Sequence, residues 1–348
     1  MLYCGLDVAS KGSYYYITEK DGKKIAGGEA QTDKDGFRTR LGKHIDRGML
    51  IAIEAGNQTR WIYDYLRELG ADVVVVNAGK VKAIANSKRK TDKVDAKLLC
   101  KLLRIDELPE AVHMASDECR ELRGLLAARR QLINARTKLC NMVRGVVRQE
   151  GVRLVARELN TYKGWNGLLE REWKLSHIEV ILRTYYRSYC ELTKSIQEID
   201  RDLGNREKRD ERVEKLKTIP GVGKTASQTL LSAIDTIDRF STSKKLVSYS
   251  GLAPSVRSSG DRTVYGAITR EGRREVRGVW CQIAHLVAHS EKPAAAPLRA
   301  WFERVAKRRG KRTAVVALTR KLLTIAFCML RDNASYDPGR LGLAAASG

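Results

Sequence analysis

Two apolar runs near the N-terminus each carry a carboxylate that a dry core cannot hold alone. Asp7 lies in Leu2-Tyr3-Cys4-Gly5-Leu6-Asp7-Val8-Ala9, and Glu54 closes Met49-Leu50-Ile51-Ala52-Ile53-Glu54. Both runs read as buried strands. A carboxylate in such a strand is costly to ionise unless something compensates it, and a hard divalent cation with oxygen ligands is the obvious compensation. Asp92 and Asp95 follow in Lys90-Thr91-Asp92-Lys93-Val94-Asp95-Ala96. Three residues apart, they share one face of a helix. The arrangement these acids ask for is convergence on the C-terminal edge of one sheet. For Asp92 and Asp95 the plainer reading is a helix cap and a solvated acid.

The rest of the first hundred residues supports such a sheet. Strand signals cover Leu2–Ala9, Ser13–Glu19 and Lys24–Glu29, with Asp21-Gly22 as a hairpin turn. Asp33 caps a predicted helix to Ile45, and Met49–Glu54 is a strand. Thr59–Leu69 is a helix closed by Gly70, and Ala71–Asn77 a strand fully buried at Val73–Val76. A further helix, the basic segment Lys88-Arg89-Lys90, and a helix capped by Asp92 and running to Arg104 complete an α/β domain with an antiparallel start and a parallel continuation.

Ser116 to about Glu150 is one long amphipathic pattern, with Leu122, Leu125, Leu126, Leu132, Ile133 and Leu139 on its apolar face. A second such pattern runs from Ser176 to Leu203. Together they predict an antiparallel coiled-coil hairpin that also oligomerises; an ordinary pair inside one domain is the alternative. Residues 151–175 read as irregular, and the region from Arg206 as helical with loops, ending in a helix over Thr313–Leu330. The predicted division is 1–110, 111–205, 206–332 and a flexible tail over 333–348.

Lys plus Arg number 65 and Asp plus Glu 41, a net charge of +24 spread along the whole chain. That distribution favours a polyanion such as DNA or RNA as partner. Seven scattered cysteines with no CxxC pair predict reduced thiols and a cytoplasmic protein. No signal peptide opens the chain, and no apolar stretch is expected to reach the roughly 18 residues of a membrane span.

Thr218-Ile219-Pro220-Gly221-Val222-Gly223-Lys224-Thr225-Ala226 lies between two helical segments and matches a helix-hairpin-helix. Gly221 and Gly223 let the backbone approach a phosphate, while Lys224 and Thr225 open a helix whose amides are donors. A simple helix-helix turn is the alternative; P-loop spacing is absent. Next come Tyr249-Ser250-Gly251-Leu252-Ala253-Pro254 and Ser255-Val256-Arg257-Ser258-Ser259-Gly260, a small polar loop flanked by Arg257, Arg262, Arg270, Arg273, Arg274 and Arg277. A hydroxyl among arginines suits attack on a phosphodiester, because the arginines offset the developing charge; an ordinary loop has the same composition. Arg304, Lys307, Arg308, Arg309, Lys311 and Arg312 form a run that reads as a phosphate contact. His285 and His289, a possible zinc pair, lack a third ligand and read as core packing or helix surface; Tyr14, Tyr15, Tyr16, Trp61 and Tyr63 offer rings for base stacking but read as strand or helix packing.

The acidic quartet resembles the ribonuclease H-like site of resolvases and transposases. With the Ile-Pro-Gly-Val-Gly turn and the Tyr-Ser-Gly-Leu-Ala-Pro segment before a Ser-Gly loop, residues 2 to about 330 resemble the DEDD-type serine transposases of bacterial insertion sequences. These are the bridge-RNA-guided recombinases related to Piv-type DNA invertases. The resemblance implies a RuvC-like domain holding two Mg²⁺ ions through Asp7, Glu54, Asp92 and Asp95. It implies a coiled coil, and a transposase domain with a nucleophile that falls on Ser259, with Ser258 adjacent. It further implies a covalent serine–DNA intermediate, a structured guide RNA pairing with donor and target DNA, and a homo-oligomer, a dimer or dimer of dimers on DNA. A hydrolytic RuvC-type nuclease or Holliday-junction resolvase is one rival, and a non-catalytic nucleic-acid scaffold another. No membrane partner is expected.

Overall fold

The structure, a computed structural model, describes residues 1–84, 91–259 and 262–341. Lys88, Arg89, Lys90 and Gly260 therefore lie outside the described residues, as do the side chains of Ser259 and Arg262. The chain divides into two compact units, Met1–Ala115 and Ser116–Gly348.

The first unit is a five-stranded mixed sheet built from β1 (Leu2–Asp7), β2 (Gly12–Thr18), β3 (Lys24–Gln31), β4 (Met49–Glu54) and β5 (Asp72–Val76), in the order β3-β2-β1-β4-β5. β1, β2 and β3 pair antiparallel through a turn in which the Lys23 amide donates to Asp21 Oδ1 at 2.9 Å. β4 and β5 continue the sheet in parallel, which requires crossovers. These are supplied by α1 (Lys34–Ile45), capped by Asp33, which accepts from the Gly36 amide at 2.7 Å, and by α2 (Thr59–Glu68). Strand alternation then divides the apolar side chains between two faces. Cys4, Leu6, Ile51 and Ile53 pack with Phe37, Leu41, Ile62 and Leu66. On the other face Tyr3, Leu50 and Ala52 meet α3 (Ala78–Ile84) and α4 (Asp92–Arg104) through Val81, Leu99, Leu102 and Leu103.

Two local expectations change. β5 is not fully buried: it is the last strand of the sheet among the described residues, with Asp72 exposed and Val73 and Val74 only half covered. The cap of α4 is Thr91 and not Asp92. Thr91 is extended (φ −144°, ψ 148°) and its side chain accepts from the Val94 amide, so Asp92 becomes the first helical residue.

The second unit begins with α5 (Asp117–Gln149), whose cap, Ser116, accepts from the Cys119 amide at 3.3 Å. It packs antiparallel on α7 (Ser176–Glu207), as three cross-links show: Glu121 with Arg206 at 2.9 Å, Arg129 with Asp200 at 2.7 Å, and Arg136 with Thr193 at 3.4 Å. At the far end, residues expected to be irregular hold α6 (Tyr162–Leu169). Thr161 caps it, and Trp165 is wholly buried among Leu139, Val143, Leu182 and Tyr189, its Nε1 donating to the Leu159 carbonyl at 3.0 Å. A capping threonine ahead of a buried tryptophan is the signal that marks this helix.

After α7 come α8 (Glu211–Lys217), α9 (Lys224–Ile234) and α10 (Ser243–Tyr249). A β-hairpin follows, β6 (Pro254–Ser259) and β7 (Arg262–Ile268), where a loop between helices was expected. Then come α11 (Arg274–Ala288), α12 (Ala296–Arg309) and α13 (Lys311–Arg331). Their core gathers Leu216, Leu230, Leu246, Trp280, Leu318 and Leu322. By length and composition α13 is apolar enough to cross a membrane, against the expectation that no stretch reaches that size. Its Ala314, Leu318, Leu322, Leu323 and Ala326 are fully buried inside the unit, which accounts for the composition. The segment after α13 is engaged: the Tyr336 amide donates to Thr218 Oγ1 at 2.8 Å.

Candidate functional site

Asp7 and Glu54 are brought together by register. Leu6 pairs with Ile53, so the next positions, Asp7 and Glu54, end adjacent parallel strands roughly 4.8 Å apart. Alternation turns both toward the face that α4 covers, the face of Tyr3, Gly5, Leu50 and Ala52. Both side chains are half-buried.

α4 brings the other two acids to the same edge. Gly5 is the contact point: a Cβ there would run into the Ala96 carbonyl, the Cys100 amide and the Leu99 side chain. Only a glycine lets the helix lie this close. The direction of α4 follows from its other contacts. Arg104 Nη1 donates to the Lys20 carbonyl at 3.2 Å, near the N-terminal end of β1, and the Cys100 thiol donates to the Tyr3 carbonyl at 3.2 Å. Ala96 then reaches Gly5. Two residues of strand, about 6.6 Å, carry the sheet from Gly5 to Asp7. Four residues of helix, about 6 Å, carry α4 back from Ala96 to Asp92. Asp92 lies one turn before Ala96 and Asp95 one turn before Leu99, so both continue the sheet-facing side of the helix. Asp92 is exposed and Asp95 half-buried. Among the described residues, no three of His, Cys, Asp and Glu are close enough to form a ready-made metal cage. The convergence is of strand ends and a helix start on one sheet edge.

In the second unit the turn between α8 and α9 is tight. Gly221 is left-handed at φ +80°, and the Val222 amide donates to the Ile219 carbonyl at 3.1 Å. Gly221 and Gly223 are exposed, Lys224 and Thr225 half-buried, and no side chain caps α9.

The β6–β7 hairpin is held at its base. The Thr269, Arg270 and Arg273 amides donate to the Ala253, Gly251 and Tyr249 carbonyls. Arg277 Nη1 donates to the Ser250 and Arg270 carbonyls, both at 3.2 Å. Arg273 Nε donates at 2.9 Å to the Tyr249 hydroxyl, which itself donates to the Ala233 carbonyl at 3.2 Å. The guanidinium groups of Arg239 and Arg273 lie over the Tyr249 ring. A Cβ on Gly272 would strike the Tyr249 carbonyl, and one on Gly251 the Arg277 guanidinium. Tyr249-Ser250-Gly251 is thus the root of a ribbon. Two of the arginines expected around the serines, Arg273 and Arg277, hold that root, while Arg257, Arg270 and Arg274 are exposed. Register sets Ser258 opposite Thr263, with the two hydroxyls 3.2 Å apart, and Ser259 opposite Arg262.

Sequence reasoning missed a cluster where α9 ends. Arg123 and Arg239 donate to the carbonyls of Ser232, Ala233 and Ile234, and Asp235, left-handed at φ +65°, accepts from Ser116. Burial lowers the pKa of Arg123, and neighbouring Arg273 lowers it further. Burial, then Asp235, pushes the Cys119 thiol up to about 11, which removes it as a nucleophile at neutral pH. The Arg123 and Asp235 contacts span more than a hundred residues, and no local pattern announces them.

The exposed Arg308, Arg309, Lys311 and Arg312 surround the junction of α12 and α13, where Gly310 takes φ +83°. His289 Nδ1 lies 2.8 Å from the His285 carbonyl, so this pair is engaged within its own helix. Trp61 packs on Phe37 with ring centroids 5.8 Å apart.

Comparison with known proteins gives two family matches. The profile of the DEDD-type IS110 transposases, described as "Transposase", matches residues 4–151, and that of the "Transposase IS116/IS110/IS902 family" matches residues 213–298. The transposase for insertion sequence element IS1111A of Coxiella burnetii is 23% identical over 294 residues, 84% of this chain and 80% of that protein. A probable family 20 transposase of Pseudomonas aeruginosa is 24% identical, covering 83% of this chain and 86% of its own length. The pilin gene-inverting protein of Moraxella bovis is 29% identical over 278 residues, 76% of this chain and 74% of that protein.

Proposed function

This chain belongs to the IS110/IS116 family of insertion-sequence transposases, and we propose that it is a guide-RNA-directed recombinase that cuts and rejoins donor and target DNA through a serine–DNA intermediate. The observation that carries the catalytic part is the acidic edge: Asp7 and Glu54 at aligned strand ends, with Asp92 and Asp95 on the sheet-facing side of α4. The sheet order and its mixed pairing accord with a RuvC-like domain.

The donor set fits Mg²⁺ in its chemistry. It offers hard carboxylate oxygens from Asp7, Glu54, Asp92 and Asp95, the donor type that Mg²⁺ prefers. When bound, Mg²⁺ would neutralise charge on the scissile phosphate. The remaining roles belong to the chain. Ser259 Oγ loses its proton and bonds to phosphorus as the bond to the leaving deoxyribose oxygen breaks, and that oxygen takes up a proton. Attack by the hydroxyl of another strand reverses the step and restores the serine. Because no phosphodiester energy is lost to water, strands are exchanged and not merely cut. Arg257, and Arg262 opposite Ser259 in register, are suited to hold the crowded phosphate. The family resemblance supports Ser259, with Ser258 adjacent, its hydroxyl 3.2 Å from that of Thr263.

Hydrolysis is the second reading, favoured by the acidic edge itself, which could direct a water without any serine. A covalent protein–DNA adduct separates the two. Guide RNA as partner is supported by the family resemblance and by a net charge of +24. If RNA and DNA are gripped mainly through phosphates, affinity falls by about 0.9 log unit per contact per log unit of salt on duplex DNA. Titration across a salt series should give that steep slope; a flat response would remove the electrostatic account.

Assembly is expected to run through α5 and α7, which leave Met142 and Val180 exposed. Light scattering should report at least a dimer, with higher order on DNA. A monomer both free and bound to nucleic acid would contradict this.

A further inference from the structure

The β6–β7 ribbon is rigid at its root yet buries almost nothing of its own. Tyr265 is 70% exposed, Val256 55% and Val264 48%. A lone two-stranded hairpin is marginal in water, so its order comes from the clamped base described above. Paired residues share a face of such a ribbon. Val256 pairs with Tyr265 and Ser258 with Thr263, giving one face without charge; Arg257 pairs with Val264 on the other. An aromatic ring backed by a β-branched side chain therefore stands open on the face of Ser258, on an element that carries exposed Arg257 and is followed by exposed Arg270 and Arg274.

We propose that Tyr265, backed by Val256, is a stacking platform for an unpaired base of the nucleic-acid strand whose phosphate the hairpin addresses. This rests on the reading that the hairpin acts on DNA. Two observations favour a base over a second copy of the chain. The neighbouring guanidinium groups complement a polyanion. The open apolar area is a few side chains, far below the roughly 800 Å² each partner gives to a stable protein interface. Stacking is tolerant of sequence, because every base has a π-face. Tyr265 is thus a positioning residue: by fixing the neighbouring base it sets which phosphate meets the ribbon. A cross-strand Val–Tyr pair also stabilises a hairpin on its own account, so the test must separate ring from strand propensity.

The test uses full-length Ser259→Ala protein, in which binding is read without cleavage, and a short single-stranded DNA carrying one 2-aminopurine as probe. Tyr265→Phe keeps the ring; Tyr265→Ile keeps a β-former opposite Val256 and removes it. The Phe protein is expected to bind within about twofold of its parent and to quench the probe equally. The Ile protein is expected to bind roughly 5- to 100-fold more weakly, lose the quench and keep the same salt slope. Equal binding and quenching by the Ile protein, with an unchanged melting temperature, would overturn the proposal. So would loss by the Phe protein as large as by the Ile protein. A change in oligomer mass with DNA binding intact would assign the face to a second copy and overturn it too. Failure of the serine to form an adduct would leave these readouts where they are, so the two readings fail separately.

Discussion

Asp7→Ala and Glu54→Ala proteins are expected to bind DNA and RNA as tightly as the parent and to cut neither strand of a cognate substrate. Removing one carboxylate raises the net charge from +24 to +25, which cannot weaken attraction to a polyanion. Under the proposed mechanism, cleavage requires instead a cation held where Asp7 and Glu54 end their strands. Loss of one group that stabilises charge at a reacting phosphate typically lowers the rate by about 10²–10³-fold, and loss of a metal ligand should reach at least that scale. Asp92→Ala and Asp95→Ala should behave alike, because both continue the face of α4 that lies on Gly5. Ca²⁺ should support assembly better than turnover, since it accepts looser geometry than Mg²⁺. Gel-shift and cleavage assays on the same preparations measure both quantities. Recombination at parental rates by the Asp7→Ala protein in Mg²⁺ would remove the metal role.

The acidic edge was legible because each part has a local cause. Apolar runs set β1 and β4, the parallel register aligns their last residues, and the Leu99–Leu103 face fixes α4, whose cap falls one residue before the expected Asp92. The close approach at Gly5 was not legible, because a glycine inside a strand pattern does not say which backbone comes near it. The β6–β7 hairpin escaped for a different reason. Its alternation of valine and tyrosine with polar residues is short, its open faces bury no apolar stripe, and its order is imposed by Tyr249, Arg273 and Arg277 from outside the strands. The partial burial of β5 was missed because a valine run reads the same in a fully buried strand as in a half-covered one. Likewise the buried face of α13 absorbs an apolar stretch that composition alone cannot tell from a membrane span.

Ser259→Ala is expected to stop strand cleavage while leaving metal and RNA binding unchanged. The expected loss is roughly three orders of magnitude or more, since removal of a nucleophile leaves only binding and electrostatic stabilisation. Ser258→Ala should keep substantial activity, because the proposed nucleophile is the neighbouring Ser259. Ser259→Cys is expected to retain at most a trace: a thiolate forms more readily than an alkoxide but suits Mg²⁺ less well. Single-turnover cleavage of a labelled substrate by the three variants ranks them. Full activity of the Ser259→Ala protein would leave the hydrolytic reading standing.

If DNA becomes covalently joined to the protein during strand exchange, the joined species can be trapped. The parent protein, with guide RNA, Mg²⁺ and a nicked suicide substrate that cannot be resealed, should yield a denaturant-stable protein–DNA adduct. Mass spectrometry should place it on the peptide containing Ser258 and Ser259, at Ser259, and the Ser259→Ala protein should form none. Cut DNA with free ends and no adduct on any peptide would rule out a serine–DNA intermediate.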